Sequence, residues 1–544
     1  MTTATTTAPA QRSALPAGRL RGWVDVRTLA PSLFAVVNAT AFFLVRPDVN
    51  DLWAARARAS AVSHGVGLTY WFSWFGGGST PGNYSVLTPY LSATIGTELV
   101  GALSAVAVTV LITVAVRGTR HPFSAAAVGA IAAALNLWSG RVPFLLGAAF
   151  GIGVLIAVRR RSRSAAVGLT LVSILASPVS GAFVALGLSG TFLTTRTKAY
   201  RGVIAYAVVT GGIALAVVGV IFGAPGPEPF SNGLLIDVLV ALGCLAVAGA
   251  PDHLRTTMWV SLLATVVLWA VPNGLGSNFG RFIWFCLPVA VVALSRRRAH
   301  IAVLCVVPLL LQGGSATLTD LRHATRPVSS VSYYTPLAER LDRIPELRNY
   351  RVEVVNHGAH AGYDALLGHA MLARGWETQE DNALNKALFK DPLDPVTYKI
   401  WLDNNAVGFV ALPSASMGGY AEYTLVQKGT APYLHRIWSN DDWQLFRVSD
   451  PTPIVGLPAS VLAHDQKSMT IAVPCACTIV VRLRWSKFLT ATLQHPDQSG
   501  AGTIDAAPRV SARVEDDGSG WSTLTTAQPG TYVLRGSLRG GLLR

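Results

Sequence analysis

The 544 residues carry a formal net charge of +15, yet only 13% are charged and 51% are hydrophobic, with a mean hydropathy of +0.42. That balance excludes a soluble globular protein of this size. The positive excess gathers in short clusters between apolar runs, and the polar half has no basic stripe interleaved with aromatics, which argues against a nucleic-acid partner.

Residues 1–27 are rich in Thr, Ala, Pro and Arg and lack the apolar core of a signal peptide, so they read as a disordered cytoplasmic tail. A bilayer core takes about twenty apolar residues per helix, fewer at the short end. Candidate spans fall at 28–46, 94–116, 123–138, 142–158, 165–177, 181–195, 202–222, 233–250, 257–272, 282–295 and 300–312. Arg-rich breaks at 19–27, 117–121, 159–163, 196–201, 253–255 and 296–300 occupy every second connection. That alternation is the positive-inside pattern of a chain whose N-terminus is cytoplasmic. An odd number of crossings, about eleven, then places the polar C-terminal half outside the plasma membrane. The reading depends on residues 165–195, where Ser-Pro-Val-Ser-Gly at 177–181 divides the apolar stretch into two helices joined by a turn.

The first outer loop, 47–93, is the longest. It opens Arg46-Pro47-Asp48-Val49-Asn50-Asp51-Leu52-Trp53, and a helix beginning after Pro47 sets Asp48 and Asp51 three apart on one face. Taken alone, the two aspartates read most simply as helix caps. His64, the aromatic run Tyr70-Trp71-Phe72-Ser73-Trp74-Phe75 and Tyr84 follow, and a loop of this composition belongs at the membrane interface. Arg141 and Arg281, with Asn278 just before the latter, stand at the outer ends of later spans. Glu98 and Asp237 fall a turn or two inside the outer leaflet, where a carboxylate is costly unless it is paired or working.

Carboxylates and arginines thus converge on one level, and at this point the layout resembles the GT-C superfamily of integral-membrane glycosyltransferases. In that superfamily an acidic residue soon after the first span is the catalytic carboxylate, later outer loops bind a polyprenyl-phosphate sugar donor, and a soluble exoplasmic domain follows the spans. Asp48 and Asp51 match the acidic position. Gly375-Trp376-Glu377-Thr378-Gln379 and residues 401–413 also look like a large group of actinobacterial membrane proteins. The resemblance implies transfer of a sugar to a cell-envelope glycan or lipid acceptor. Asp51 would be the general base, with Asp48 as the alternative, and Arg141 or Arg281 the phosphate clamp. His64, Tyr84, Glu98, Asp237 and Asn278 would line the cavity. A divalent cation, Mg or Mn, could bridge carboxylate and phosphate, and the sequence leaves its presence open.

Residues 313–452 read as an exoplasmic α/β domain, with strands at 351–356 and 407–413 and helices at 359–373 and 383–390. His357, His360, Asp364 and His369 match no zinc spacing and read as ordinary polar residues. Residues 453–544, with strand-like runs at 470–473, 478–485 and 532–538, suggest a β-sandwich module. Cys475 and Cys477 make a poor metal site alone, and a bridge between them is the other reading. Two other functions are weighed. A multi-span transporter is disfavoured by the absence of an internal repeat and of mid-membrane charge, and a non-catalytic scaffold of envelope glycan synthesis would need only to bind lipid phosphate.

Overall fold

The computed structural model describes residues 26–223, 226–494 and 511–542. The tail expected over 1–27 therefore lies almost wholly outside the described residues. Within them a helix occupies each apolar run. These are α1 (Val26–Val45), then after two loop helices α4 (Thr97–Ala115), α5 (Pro122–Trp138), α6 (Val142–Arg159), α7 (Arg163–Ala176), α8 (Pro178–Thr194), α9 (Lys198–Phe222), α10 (Asn232–Val247), α11 (Asp252–Ala270), α12 (Leu287–Leu294, entered through a π-helical turn at Phe282–Cys286) and α13 (Ala299–Ala324). The break at 177–181 is a true helix boundary: Ser177 is extended at φ −161° and its hydroxyl accepts from the Ser180 amide. Among the described residues five helices are long and apolar enough to cross a membrane, or six if α1 and the bent helix after it count as one span. Several of the others are short: the 14 residues of α7 span about 21 Å against a hydrocarbon core of about 30 Å. The chain is a multi-pass membrane protein. The last helix runs past residue 312 to Ala324 although Gly313, Gly314, Ser315 and Thr317 are weak helix formers, and Gly313 packs closely against the Phe285 ring.

Pro47 ends α1, since the residue before a proline is held out of the helical region; Arg46 takes φ +50°. The chain then bends by 71° into α2 (Asn50–Ser63). This Ala-rich helix buries Leu52, Trp53, Ala54, Ala55, Ala57, Arg58, Ala59 and Ala61, so it is covered nearly all round. A short helix, α3 (Thr88–Ile95), leads into α4.

The C-terminal part holds two sheets. The first has the order β1-β2-β4-β3, with β1 (Arg351–Val354) parallel to β2 (Val407–Pro413), and β3 (Leu434–Ser439) and β4 (Trp443–Val448) antiparallel. All seven residues of β2 are buried, as a central strand covered on both faces requires. The helix expected over 359–373 is reduced to the four residues Gly362–Ala365. Beyond it the chain extends, and Val352 pairs with both neighbours of Leu372, its amide donating to Met371 and its carbonyl accepting from Ala373, each at 2.9 Å. Strand pairing has overridden helical pattern here.

The second sheet runs β5-β6-β11-β8-β9-β10-β7, where β5 is Ser460–His464, β6 Ser468–Val473, β7 Thr478–Arg484, β8 Leu489–Leu493, β9 Ser511–Asp516, β10 Trp521–Thr525 and β11 Gly530–Gly536. The strands follow one another in a continuous antiparallel order, with β9 shared between β8 and β10. Inward residues of all seven strands, from Val461 and Met469 to Leu524 and Leu534, share one core, so the sheet curls over itself. Cys475 and Cys477 form a disulfide in the turn between β6 and β7.

The aromatic run of the first loop, whose composition suggested a membrane interface, is buried in the cores of the C-terminal part. Tyr70 and Phe72 enter the core of the seven-stranded sheet, while Trp71, Trp74 and Phe75 enter that of the four-stranded sheet. Each ring removes a large apolar area from water, and the turns that follow Trp71 divide the rings between the two cores. Residues 70–75 thereby fasten both modules to the helical part.

Candidate functional site

The site is built at the end of the bundle where α2 lies. Asp51 is in the first turn of α2, and one of its oxygens, Oδ2, faces Arg141 Nε at 3.6 Å and Arg281 Nη2 at 3.4 Å. The three residues come from positions far apart in the chain. The turn between α5 and α6 delivers Arg141, and it can come close because Gly140 lies at φ +75° with no side chain: a Cβ there would stand 2.6 Å from the backbone nitrogen of Leu52. The turn Gly276–Phe279 delivers Arg281 at the start of the π-helical segment. Each guanidinium also lies over a ring, Arg141 over Phe285 at 5.9 Å and Arg281 over Phe144 at 5.6 Å.

Three further groups complete the cluster. Asp320, on the stretch of α13 beyond residue 312, approaches Arg141 at 3.9 Å. Glu228 accepts from the Ser277 hydroxyl at 2.9 Å, and burial pushes its carboxyl up despite the nearby Arg281. The Tyr84 hydroxyl sits within the field of Asp51, Arg281, Arg58 and Arg141; burial, reinforced by Asp51, pushes it up to about 12, so it stays a neutral donor. Burial, with Arg281 beside it, pulls Arg141 down to about 10, leaving it charged at neutral pH.

Of the residues singled out from sequence, Asp51, Arg141, Arg281 and Tyr84 come together. Asn278 lies half-buried in the turn just before Arg281. Asp48 and Asp51 do not share a face: α2 begins at Asn50 with Val49 as its cap, and Asp48 pairs instead with Arg56 at 3.5 Å. Arg56 also holds Glu98 at 2.7 Å, so Glu98 ties α4 to α2. Asp237 accepts from the Gln312 amide at 2.6 Å, joining α10 to α13. His64 is exposed at the far end of α2, its ring bonded to the Ser60 carbonyl at 2.8 Å. Asp320 and Glu228 were missed because the first follows the end of the apolar run and the second sits in an unpatterned loop.

The C-terminal part closes one side. Trp376 donates its indole N–H to the Asn50 carbonyl at 3.0 Å. Arg58, 1% exposed, pairs with Glu377 and lies 4.4 Å over the Tyr84 ring. Glu380 accepts from the Asn83 amide at 3.3 Å, and burial pushes its carboxyl up to about 8. Behind these, Arg374 is wholly enclosed by Asp381, Glu353 and Glu422. His357 bonds Tyr334 and the Val355 carbonyl, and His369 bonds Asp342. Among the described residues no three His, Cys, Asp or Glu side chains are placed to hold a metal ion. The Asp51 oxygen already faces two guanidinium groups, which supply its counter-charge in this arrangement.

Two arginines that share one carboxylate, at the lip of an apolar bundle and under a polar domain, can exchange that carboxylate for a phosphate anion. Two solved structures are similar in layout to this chain. The arabinofuranosyltransferase AftD from mycobacteria is 15% identical with a TM-score of 0.44, over 84% of this chain and 41% of that one. An Archaeoglobus fulgidus oligosaccharyltransferase tethered to an acceptor peptide is 11% identical with a TM-score of 0.45, over 72% of this chain and 69% of that one. This chain thus spans less than half the length of the AftD chain. Similarity at this level bears on neither reaction nor residue roles. No family model and no curated protein matches the sequence.

Proposed function

We propose that the chain is a membrane glycosyltransferase of the GT-C kind, moving a sugar from a polyprenyl-phosphate donor to a cell-envelope glycan or lipid acceptor on the outer face of the plasma membrane. The observation that carries this reading is the single Asp51 oxygen facing both Arg141 and Arg281. In the resting site Asp51 balances one of the two guanidinium charges, and Asp320 stands beside Arg141. An arriving lipid phosphate takes the arginines, whose planar forks suit its oxygens, and leaves Asp51 free to accept a proton. The acceptor hydroxyl then gives its proton to Asp51 while its oxygen bonds to the anomeric carbon. The bond from that carbon to the phosphate oxygen breaks, and the polyprenyl phosphate departs with the electron pair, held by the two arginines. The incoming and leaving oxygens lie on opposite faces, so the configuration inverts. Asp48, paired with Arg56, takes no part.

The test is transfer of radiolabelled sugar from a polyprenyl-phosphate donor by the purified chain with envelope acceptors. Asp51→Asn is expected to reduce turnover by about 10²–10⁴-fold, the contribution of a positioned general base, while unfolding at the same temperature as the wild type. Undiminished transfer by this variant sinks the assignment.

A further inference from the structure

The end of α2 remote from Asp51 carries a second polar cavity. The 14 residues of the helix set its two ends about 21 Å apart, so this cavity is separate from the cluster at Arg141 and Arg281. It lies in the seam between the first outer loop and the seven-stranded sheet, and its volume is about 220 Å³. Gly65, Gly67, Thr69 and Tyr70 line it from the loop, and Lys467, Arg535 and Gly536 from the sheet and its β5–β6 turn. Sites that enclose a whole small molecule run to about 300–1,000 Å³. This one has room for a single compact group.

Its chemistry is one-sided. Lys467 and Arg535 are in no ion pair among the described residues, and no lining residue is acidic. Asp465, close by in the same turn, is occupied: one of its oxygens accepts from the Lys467 and Ser468 amides and from the Ser468 hydroxyl, at 2.9, 2.7 and 3.0 Å. The Lys467 ammonium is folded over the loop, where a Cβ on Gly65 would stand 3.6 Å from it. Thr69 is only 4% exposed, yet its hydroxyl bonds to no described residue. Gly536 leaves that hydroxyl open, since a Cβ there would stand 3.3 Å away. The Gly67 amide donates to no described carbonyl. Polar groups on buried residues seldom lack a partner in native proteins. Beside two unpaired cations, an open hydroxyl and an open amide make a cradle for an oxyanion.

Placement indicates where the oxyanion comes from. Leu68, between Gly67 and Thr69, packs against Ile174 of α7 and against Val218 and Phe222 of α9, at the ends of those helices on the Asp51 side. Helix α9 is long and apolar enough to cross a membrane. The cavity is therefore level with the end of a span, where lipid headgroups lie. We propose that Lys467, Arg535, Thr69 and the Gly67 amide bind the phosphate of an anionic lipid headgroup, fastening the seven-stranded sheet to the membrane surface. The site stands apart from the glycosyltransferase reading and does not depend on it.

The test is calorimetric titration of the full-length chain in detergent with dihexanoyl phosphatidylglycerol, glycerol phosphate and inorganic phosphate. The wild type is expected to bind phosphatidylglycerol saturably and more tightly than the two soluble phosphates. Lys467→Gln and Arg535→Gln, both at exposed positions that leave the core untouched, each weaken that binding by about tenfold, the worth of one hydrogen bond to a charged group. Thr69→Val weakens it as well, at an unchanged unfolding temperature. Soluble phosphates that bind as tightly as the lipid, with the same dependence on Lys467 and Arg535, overturn the lipid source and leave a phosphate site. Binding that Arg281→Gln weakens while Lys467→Gln and Arg535→Gln spare it belongs to the Asp51 cluster and overturns the proposal, as does the absence of saturable binding by all three ligands.

Discussion

Replacing Gly140 by alanine tests whether the site's geometry is held by backbone approach. The residue sits at φ +75°, and a non-glycine residue in that region costs about 1–2 kcal/mol. The added methyl would lie 2.6 Å from the Leu52 backbone nitrogen and 2.8 Å from both Leu52 Cβ and Val49 Cγ2. None of these is the free end of a long side chain, so the turn and α2 must separate, and overpacking of this kind costs a further 1–3 kcal/mol or about that. Together the two effects come to about 2–5 kcal/mol. Separation by even a fraction of an ångström carries Arg141 away from Asp51, now 3.6 Å apart. A misplacement of about 1 Å can cost about 10²-fold in rate. The expected outcome for Gly140→Ala is a lowered unfolding temperature together with transfer reduced by about that factor and weaker binding of polyprenyl phosphate. A variant with wild-type stability and wild-type phosphate binding would refute the argument that this glycine sets the site.

Arg281→Lys keeps the charge but loses the planar fork, so polyprenyl phosphate is expected to bind about tenfold more weakly, by equilibrium titration. Arg374→Ala leaves Glu353, Asp381 and Glu422 without their cation and is expected to destabilise the C-terminal domain by about 3–5 kcal/mol, read by denaturant unfolding. Glu380 has a folded-state pKa raised from 4.5 to about 8 by burial. Its contribution to stability is full below the unfolded value and is lost as pH rises through the folded one. The unfolding temperature should therefore fall between about pH 4.5 and 8 through this group, and Glu380→Gln should flatten that part of the profile.

The helical half was legible because burial in lipid writes itself into composition: apolar runs mark the helices and arginine clusters mark alternate ends. Arg141 and Arg281 could be found for the same reason, since an arginine at the end of an apolar run stands out. Partners were not legible. Glu98 and Asp237 have the same sequence signature as Asp51, a carboxylate near the outer leaflet, yet one pairs with Arg56 and the other with Gln312. Only the turn at Gly140 and the start of the π-helical segment decide that the arginines reach Asp51 and not its neighbours. The aromatic run at 70–75 was misplaced because an interfacial belt and a buried clamp use the same residues. What separates them is the presence of a later domain to cover the rings. Trp376 was visible as a residue, but its proximity to α2 is a contact across some 300 positions and leaves no local trace.

Helix α2 is made early and completed late. Arg58 and its partner Glu377 are 319 residues apart in sequence. At a synthesis rate of about 5–20 residues per second, Arg58 waits roughly 15–65 s after leaving the ribosome before its counter-charge exists. Through that interval the helix and the aromatic segment after it lack the domain that buries them. The chain therefore has a defined window in which a chaperone or a neighbouring membrane protein must shield them, and a truncation that removes the C-terminal domain leaves that window open for good.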